Sequence, residues 1–277
     1  TDVYAADEAL ALIEVTYETL PAVFDPEEAM LPGAPEIHPT HPKVKEGLSN
    51  IGGKTASAWG DVEAGFQNAD YVREDRFESH LRTHGYLEPQ ATVASVDSDG
   101  KLNVWTSSQG PFIKRAKLAK TLGLPQSAVR VRKAYVGGAF GGKIDLFSHE
   151  FCAALLSMKT SRPVEIIATR EEIFTAYRHG QPLIVTVKTG VKKDGTIVAQ
   201  QLKTINNSGA YRGSGVVVIF LVWGFAMAPY RIPNLKYEGY SVYTNNPIRT
   251  PQRGHGAPQM RFAVESQLDM IAEELGL

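Results

Sequence analysis

The chain of 277 residues has a single cysteine, Cys152, so it can form no internal disulfide and suits a reducing compartment, with the cytoplasm as the expectation. With Phe151, Ala153, Ala154 and Leu155 around it, Cys152 is predicted to be a small buried hydrophobe rather than a nucleophile. There is no cysteine cluster to hold an iron-sulfur centre. Charge of either sign is not in excess. Lys and Arg number 29 against 30 Asp and Glu, a net charge of -1, which gives no footprint for nucleic acid or for a membrane surface. No apolar run reaches the roughly 18 residues that span a bilayer. The longest, Val216 to Met227, is interrupted by Gly224, and Thr1-Asp2-Val3-Tyr4 shows no basic leader. Internal repeats and low-complexity tracts are absent too.

Glycine, by contrast, is placed with a purpose. Three glycine-bearing turns each run into a helix signal: Ser108-Gln109-Gly110-Pro111, Gly137-Gly138-Ala139-Phe140-Gly141-Gly142, and Arg253-Gly254-His255-Gly256-Ala257-Pro258. The first turn of a helix leaves backbone N–H groups unpaired, and its dipole favours negative charge. Three such turns predict a large, oxygen-rich anionic ligand gripped mainly by backbone.

Around these turns the pattern is mixed. Alternation predicts strands at Ile13 to Tyr17, Tyr71 to Glu78, Ala91 to Val96, Leu102 to Thr106, Val129 to Lys133, Val164 to Ile167, Leu183 to Val191, Thr196 to Asn206 and Lys236 to Tyr243. Ser98-Asp99-Gly100 and Lys193-Asp194-Gly195 read as hairpin turns. Helices are predicted at Asp7 to Leu12, Pro111 to Leu122, Asp145 to Lys159 and Pro258 to Leu275, the last with Gly276 as its C-cap. Pro21, Pro26, Pro32, Pro35, Pro39 and Pro42 predict an extended segment lying over a surface. Hairpins and helices interleave irregularly, which predicts an α+β domain rather than a doubly wound parallel sheet.

Gly137 to Lys143 also matches G-x-x-x-x-G-K, the phosphate loop of nucleotide hydrolases. Ile144 stands where that loop needs a Ser or Thr hydroxyl for Mg²⁺, and the preceding Val129-Arg130-Val131-Arg132-Lys133 is not the apolar strand that leads into such loops. A P-loop-like nucleotide-binding protein is therefore only the remote alternative.

Read together, Gly137-Gly138-Ala139-Phe140-Gly141-Gly142-Lys143, His84-Gly85-Tyr86-Leu87-Glu88-Pro89, Trp105-Thr106-Ser107-Ser108-Gln109, Thr160-Ser161-Arg162-Pro163-Val164 and Arg253-Gly254-His255-Gly256-Ala257-Pro258-Gln259 resemble, in order, the landmarks of the xanthine dehydrogenase and aldehyde oxidase family of molybdenum hydroxylases. Within that family the motifs, Arg253 to Gly256 above all, are most similar to the large subunit of 4-hydroxybenzoyl-CoA reductase. The resemblance implies an α+β molybdenum cofactor-binding domain. Residues 1–30 would be the tail of an α/β hammerhead-type domain, 31–58 an extended linker, and 59–277 the first part of the cofactor-binding domain in a truncated chain.

The resemblance also implies a cofactor: molybdenum held by molybdopterin, in its cytosine dinucleotide form. Gln109 would donate to a molybdenum oxo group, with Gly110, Gly138, Ala139, Phe140, Gly141, Arg253 and Gly254 in the cofactor shell. Any side chain at Gly141 is expected to collide with the cofactor. His255 and Tyr86 would contact a small aromatic substrate, the leading case being reductive dehydroxylation of a CoA thioester, 4-hydroxybenzoyl-CoA; Tyr211 and Tyr230 are weaker candidates. The general-base glutamate would lie beyond Leu277, so no catalytic residue falls in this chain, and no residue binds the metal directly. The [2Fe-2S] and FAD centres would sit on partner subunits or domains. Ile144, Asp145 and Gly180-Gln181-Pro182, with Arg178-His179 upstream, depart from the purine-oxidising members. The alternative is an isolated fragment or assembly domain of an aldehyde or N-heterocycle hydroxylase. His80 and His84 have the spacing of a helical metal pair without its glutamate, and His38 and His41 are expected in a solvated loop.

Overall fold

A computed structural model describes residues 2–39 and 50–277. His41 and Pro42 lie outside the described residues, and with them that part of the loop reading. In chain order the elements are α1 (Val3–Ala11), β1 (Ile51–Trp59), α2 (Val62–Gln67), β2 (Tyr71–Glu78), β3 (Ala91–Val96), β4 (Leu102–Thr106), α3 (Pro111–Leu122), β5 (Val129–Lys133), α4 (Ser148–Thr160), β6 (Val164–Ile167), α5 (Arg170–Thr175), β7 (Leu183–Val191), β8 (Ile197–Gly209), α6 (Gly215–Met227), β9 (Leu235–Tyr243) and α7 (Ala257–Leu275). The strands form a five-stranded sheet of order β1-β9-β8-β7-β2 and a four-stranded sheet of order β5-β4-β3-β6. The fold is α+β.

Each sheet is antiparallel except for one parallel pair, β4 with β5 and β8 with β9. A parallel pair needs a crossover, and each crossover here contains a helix, α3 in one sheet and α6 in the other. The strands that return from them, β5 and β9, discharge into the two long glycine-bearing loops, while the entry to α3 is the turn carrying Gln109. Two crossovers thus deliver all three turns.

Alternation along β7 explains both faces of the larger sheet. Leu183, Val185 and Val187 pack with Val218 and Val222 of α6 and Met260, Ala263 and Val264 of α7. Ile184 points the other way, against Val23, Ala29, Ile205 and Val242. The proline segment is therefore a lid on that second face, tied by Val23 N–H to Asn245 Oδ1 at 2.8 Å and by Asn245 N–H to Val23 O at 2.8 Å. In the smaller sheet Ala94, Leu102 and Val104 pack on Leu118 and Ala119 of α3 and Ala153 and Ala154 of α4.

Several expectations need correction. Residues 13–17 form no strand; every one is exposed, and no strand pairs with them among the described residues. The extended stretch expected over 31–58 gives way at Ile51 to β1, whose Gly52 and Gly53 weaken the strand pattern in the sequence. Their bareness has a packing cause: an added Cβ would lie 2.8 Å from the Tyr243 ring at Gly52 and 2.5 Å from Val216 at Gly53. Helix α4 starts at Ser148 rather than Asp145, because Glu150 accepts the Phe147 N–H at 2.9 Å and fixes the cap there. Cys152 is exposed, since the buried face of α4 is His149, Glu150, Ala153, Ala154 and Ser157.

Candidate functional site

The three glycine turns meet in space. Gln109 N–H donates to Lys143 O at 3.0 Å, and Gln109 Oε1 accepts the N–H groups of Gly141 at 3.1 Å and Lys143 at 3.2 Å. Arg253 N–H donates to Phe140 O at 2.9 Å. The β4–α3 junction, the loop after β5 and the loop before α7 are therefore one unit held by backbone and a single side-chain amide.

With Oε1 committed to two N–H groups, the Gln109 amide has one orientation, and its Nε2 has no protein acceptor among the described residues. The residue is exposed, so that donor faces outward. The N–H groups of Gly138, Ala139 and Phe140 likewise have no acceptor among the described residues. They sit where φ is 94° at Gly138, 49° at Phe140 and 104° at Gly141, a changing backbone hand of the kind that builds anion-binding concavities. Arg253 adds an exposed guanidinium with no ion pair among the described residues. An array of amide, backbone and guanidinium donors with no carboxylate partner is suited to the oxygens of an anionic ligand.

Two of the turns offer less than their motifs suggest. Gly110 caps α3, yet its N–H is taken by Ser108 Oγ at 3.0 Å. Gly256 caps α7, but the Ala257 and Gln259 N–H groups are spent on Gly254 O and Gly256 O. The second turn does not lead straight into a helix either, because residues 143–147 intervene before α4. Gly254, at φ 90°, is exposed beside Pro258.

The collision expected at Gly141 is with the protein itself. A Cβ there would run into Pro251 O and come within 2.9 Å of Pro251 C, backbone atoms of the third loop, before it met any ligand. Absence of a side chain lets two loops touch.

Tyr86, expected at the substrate, is 3% exposed and packs with Ala168, Ile173 and Tyr177. It is a floor under the turn: Lys143 Nζ lies 4.7 Å above its ring, and an added Cβ at Gly142 would sit 2.7 Å from it. Lys143 itself is fully buried and pairs with Glu88 Oε2 at 2.7 Å, which removes it from any phosphate. Glu88 also accepts from Gly137 N–H at 2.7 Å and from Ser107 Oγ at 2.9 Å. Burial pushes its carboxyl up, but Lys143, Gly137 and Ser107 together hold it below its ordinary range. Glu88 lies in a quoted motif, but nothing in the sequence signalled that it ties the glycine turn to β4.

His255 is half-buried at φ 50°, and its Nδ1 is buried with no hydrogen-bond partner. His84 is buried and bonds Pro251 O at 2.8 Å; His80 is exposed, and no metal-holding group of side chains occurs among the described residues. His38 is not in a solvated loop: it bonds Ala210 O at 2.6 Å and packs edge-on to Tyr243. Tyr211 is exposed, while Tyr230 bonds Glu265. Arg178 pairs with Asp145 at 3.2 Å, so neither of these departures is left over for a ligand.

Residues 40–277 match the family model described as the molybdopterin cofactor-binding domain, and the chain belongs to that family. The nicotinate dehydrogenase large molybdopterin subunit of Eubacterium barkeri is 38% identical over 98% of this chain and 61% of its own length. The xanthine dehydrogenase molybdenum-binding subunit of Escherichia coli O157:H7 is 32% identical over 100% of this chain and 36% of its own. Among solved structures, an aldehyde oxidoreductase from Desulfovibrio gigas superposes on 100% of this chain and 30% of its own, with a TM-score of 0.90 at 29% identity. The chain thus spans less than two thirds of these proteins. Closeness to 4-hydroxybenzoyl-CoA reductase is not among these findings. No helix among the described residues is long and apolar enough to cross a membrane.

Proposed function

We propose that this chain forms part of the cofactor site of a molybdenum hydroxylase that acts on an aromatic ring, an N-heteroaromatic ring in the first instance. The observation that carries the reading is the Gln109 amide, whose Oε1 is locked by Gly141 and Lys143 so that Nε2 faces outward as a donor. Gln109 Nε2 would hold a molybdenum oxo group, and the Gly138, Ala139 and Phe140 N–H groups, with Gly141 shaping the turn, would meet the cofactor's oxygens. Gly110 and Gly254 keep the flanking turns bare, and the Arg253 guanidinium would take pterin-side oxygens. His255 lines the approach of the substrate ring. When bound, the group, molybdopterin cytosine dinucleotide with its molybdenum, supplies the redox change at the ring carbon. The general base, the rest of the large subunit, and [2Fe-2S] and FAD partners would complete the enzyme, with residues 1–30 the tail of a hammerhead-type domain whose last residues, Val23 and Ala29, lie on the sheet of this one.

The N-heteroaromatic substrate class is supported by the nicotinate dehydrogenase relative. Reductive dehydroxylation of 4-hydroxybenzoyl-CoA is the second reading, carried by the His255-bearing motif. The test is metal and pterin analysis of the complete native enzyme, followed by turnover with nicotinate and with 4-hydroxybenzoyl-CoA. Molybdenum and pterin near one per large subunit are expected. Pterin-free native enzyme with tight Mg²⁺-dependent ATP binding would overturn the reading.

A further inference from the structure

Beneath the glycine turn lies an ion pair that the site itself does not use. Lys114 and Glu150 are both 0% exposed, with Nζ 2.5 Å from Oε1. A fully buried pair is weak evidence for stability, because desolvating two charges costs about what their attraction returns, and apolar residues of similar volume do as well or better. Its contacts point to position instead. Glu150 Oε1 also accepts the Thr106 hydroxyl at 2.6 Å, at the end of β4, and Oε2 accepts the Phe147 N–H at 2.9 Å, at the start of α4. Lys114 is one helical turn into α3, its N–H donating to Gly110 O at 3.1 Å and its Nζ reaching back to Ser107 O at 3.4 Å.

These contacts close a ring. From Thr106 the chain runs through Ser107 and Ser108 to Gln109; Gln109 holds Gly141 and Lys143; from Lys143 the chain runs to Phe147; and Glu150 binds Phe147, Thr106 and Lys114. Other ties hold the same segments, Gln90 Nε2 on Gly142 O at 3.0 Å and Lys117 and Arg178 on Asp145 at 3.2 Å each, but none of them also reaches Thr106 and the start of α4. We propose that Lys114 and Glu150 are positioning residues that fix the outward amide of Gln109 by pinning the 106–110 and 141–147 segments to one buried point. The part of this proposal that concerns the cofactor rests on the function proposed above.

The experiment uses the assembled holoenzyme. In Lys114→Met combined with Glu150→Leu, both charges are gone and the volume is nearly kept, so losing the pair itself should cost little, while the Phe147 N–H left without its acceptor should lower the thermal midpoint by several degrees. Amide exchange over residues 106–114 and 141–150, followed by mass spectrometry, is expected to accelerate at least tenfold. The Mo(V) resonance after dithionite reduction is expected to shift, in the same direction as in a parallel Gln109→Ala sample. Unchanged exchange with an unchanged resonance would overturn the proposal. If the double variant does not fold, Thr106→Val removes one tether to Glu150 and is read the same way at smaller amplitude. A wild-type enzyme without molybdenum would sink the proposed function but not this test: faster exchange in the variant still supports the tether, and unchanged exchange still refutes it.

Discussion

Gln109 Oε1 sits 3.1 Å from the Gly141 nitrogen and 3.2 Å from the Lys143 nitrogen, so the acceptor half of one amide builds the glycine turn and the donor half is left for something else. The two halves can be separated by mutation.

Gln109→Glu keeps an oxygen at the Oε1 position that accepts both N–H groups and removes the donor. The turn should persist, with a thermal midpoint within about 3 °C of wild type, an effect below roughly 1 kcal/mol. Turnover of the complete enzyme should fall about a hundredfold, as when one positioned donor is lost. Gln109→Leu should damage both. Equal turnover in Gln109→Glu and wild type would refute the donor role.

Gly141→Ala should destabilise the fold by about 2–4 kcal/mol, since it combines a left-handed backbone angle of 104° with a collision against Pro251 backbone. Gly100→Ala is the control: its φ is 75° but nothing lies within 4 Å of the added Cβ, so only the strain of about 1 kcal/mol should appear. Denaturant unfolding of the two variants decides, and similar losses would mean that the loop contact is slack.

His149 gives the pH dependence. Burial pulls its imidazole down to about 4, with Nδ1 bonded to the Tyr177 hydroxyl at 3.0 Å and Nε2 buried without a partner. Because the folded value lies below the unfolded one, the folded chain resists the proton. The contribution is intact above the unfolded value near 6.5 and declines as pH falls toward about 4, by up to about 3 kcal/mol. Urea unfolding at pH 7 and pH 5 should show the decline, and His149→Phe should flatten it. A wild-type profile as flat as the variant's would show that His149 is open to water.

Much of the fold was legible because local rules agreed with the tertiary outcome. Alternation located β2 through β7, and Pro111 after Gly110 located α3 to the residue. Misses came where local and global signals diverged. Helix α6 is apolar on all sides, so it shows no helical periodicity, and α5 has only six residues. Cys152 is flanked by apolar residues yet lies on the outward side of α4, because the buried stripe of the helix runs through His149, Glu150, Ala153, Ala154 and Ser157 and leaves position 152 off it.

By itself the sequence determined which turns are special: a glycine is chemically bare wherever it stands, and Gln109, Gly137 to Lys143 and Arg253 to Gly256 mark themselves in one dimension. Only the tertiary structure decided what each turn touches. Gln109 and Gly141 are 32 residues apart, and Gly141 meets Pro251 from another sheet's loop. It also took Tyr86 and Lys143 out of the site and made them its floor, buried with Glu88 beneath the turn. Contacts of that range depend on which crossover returns beside which strand, and no local propensity encodes that choice.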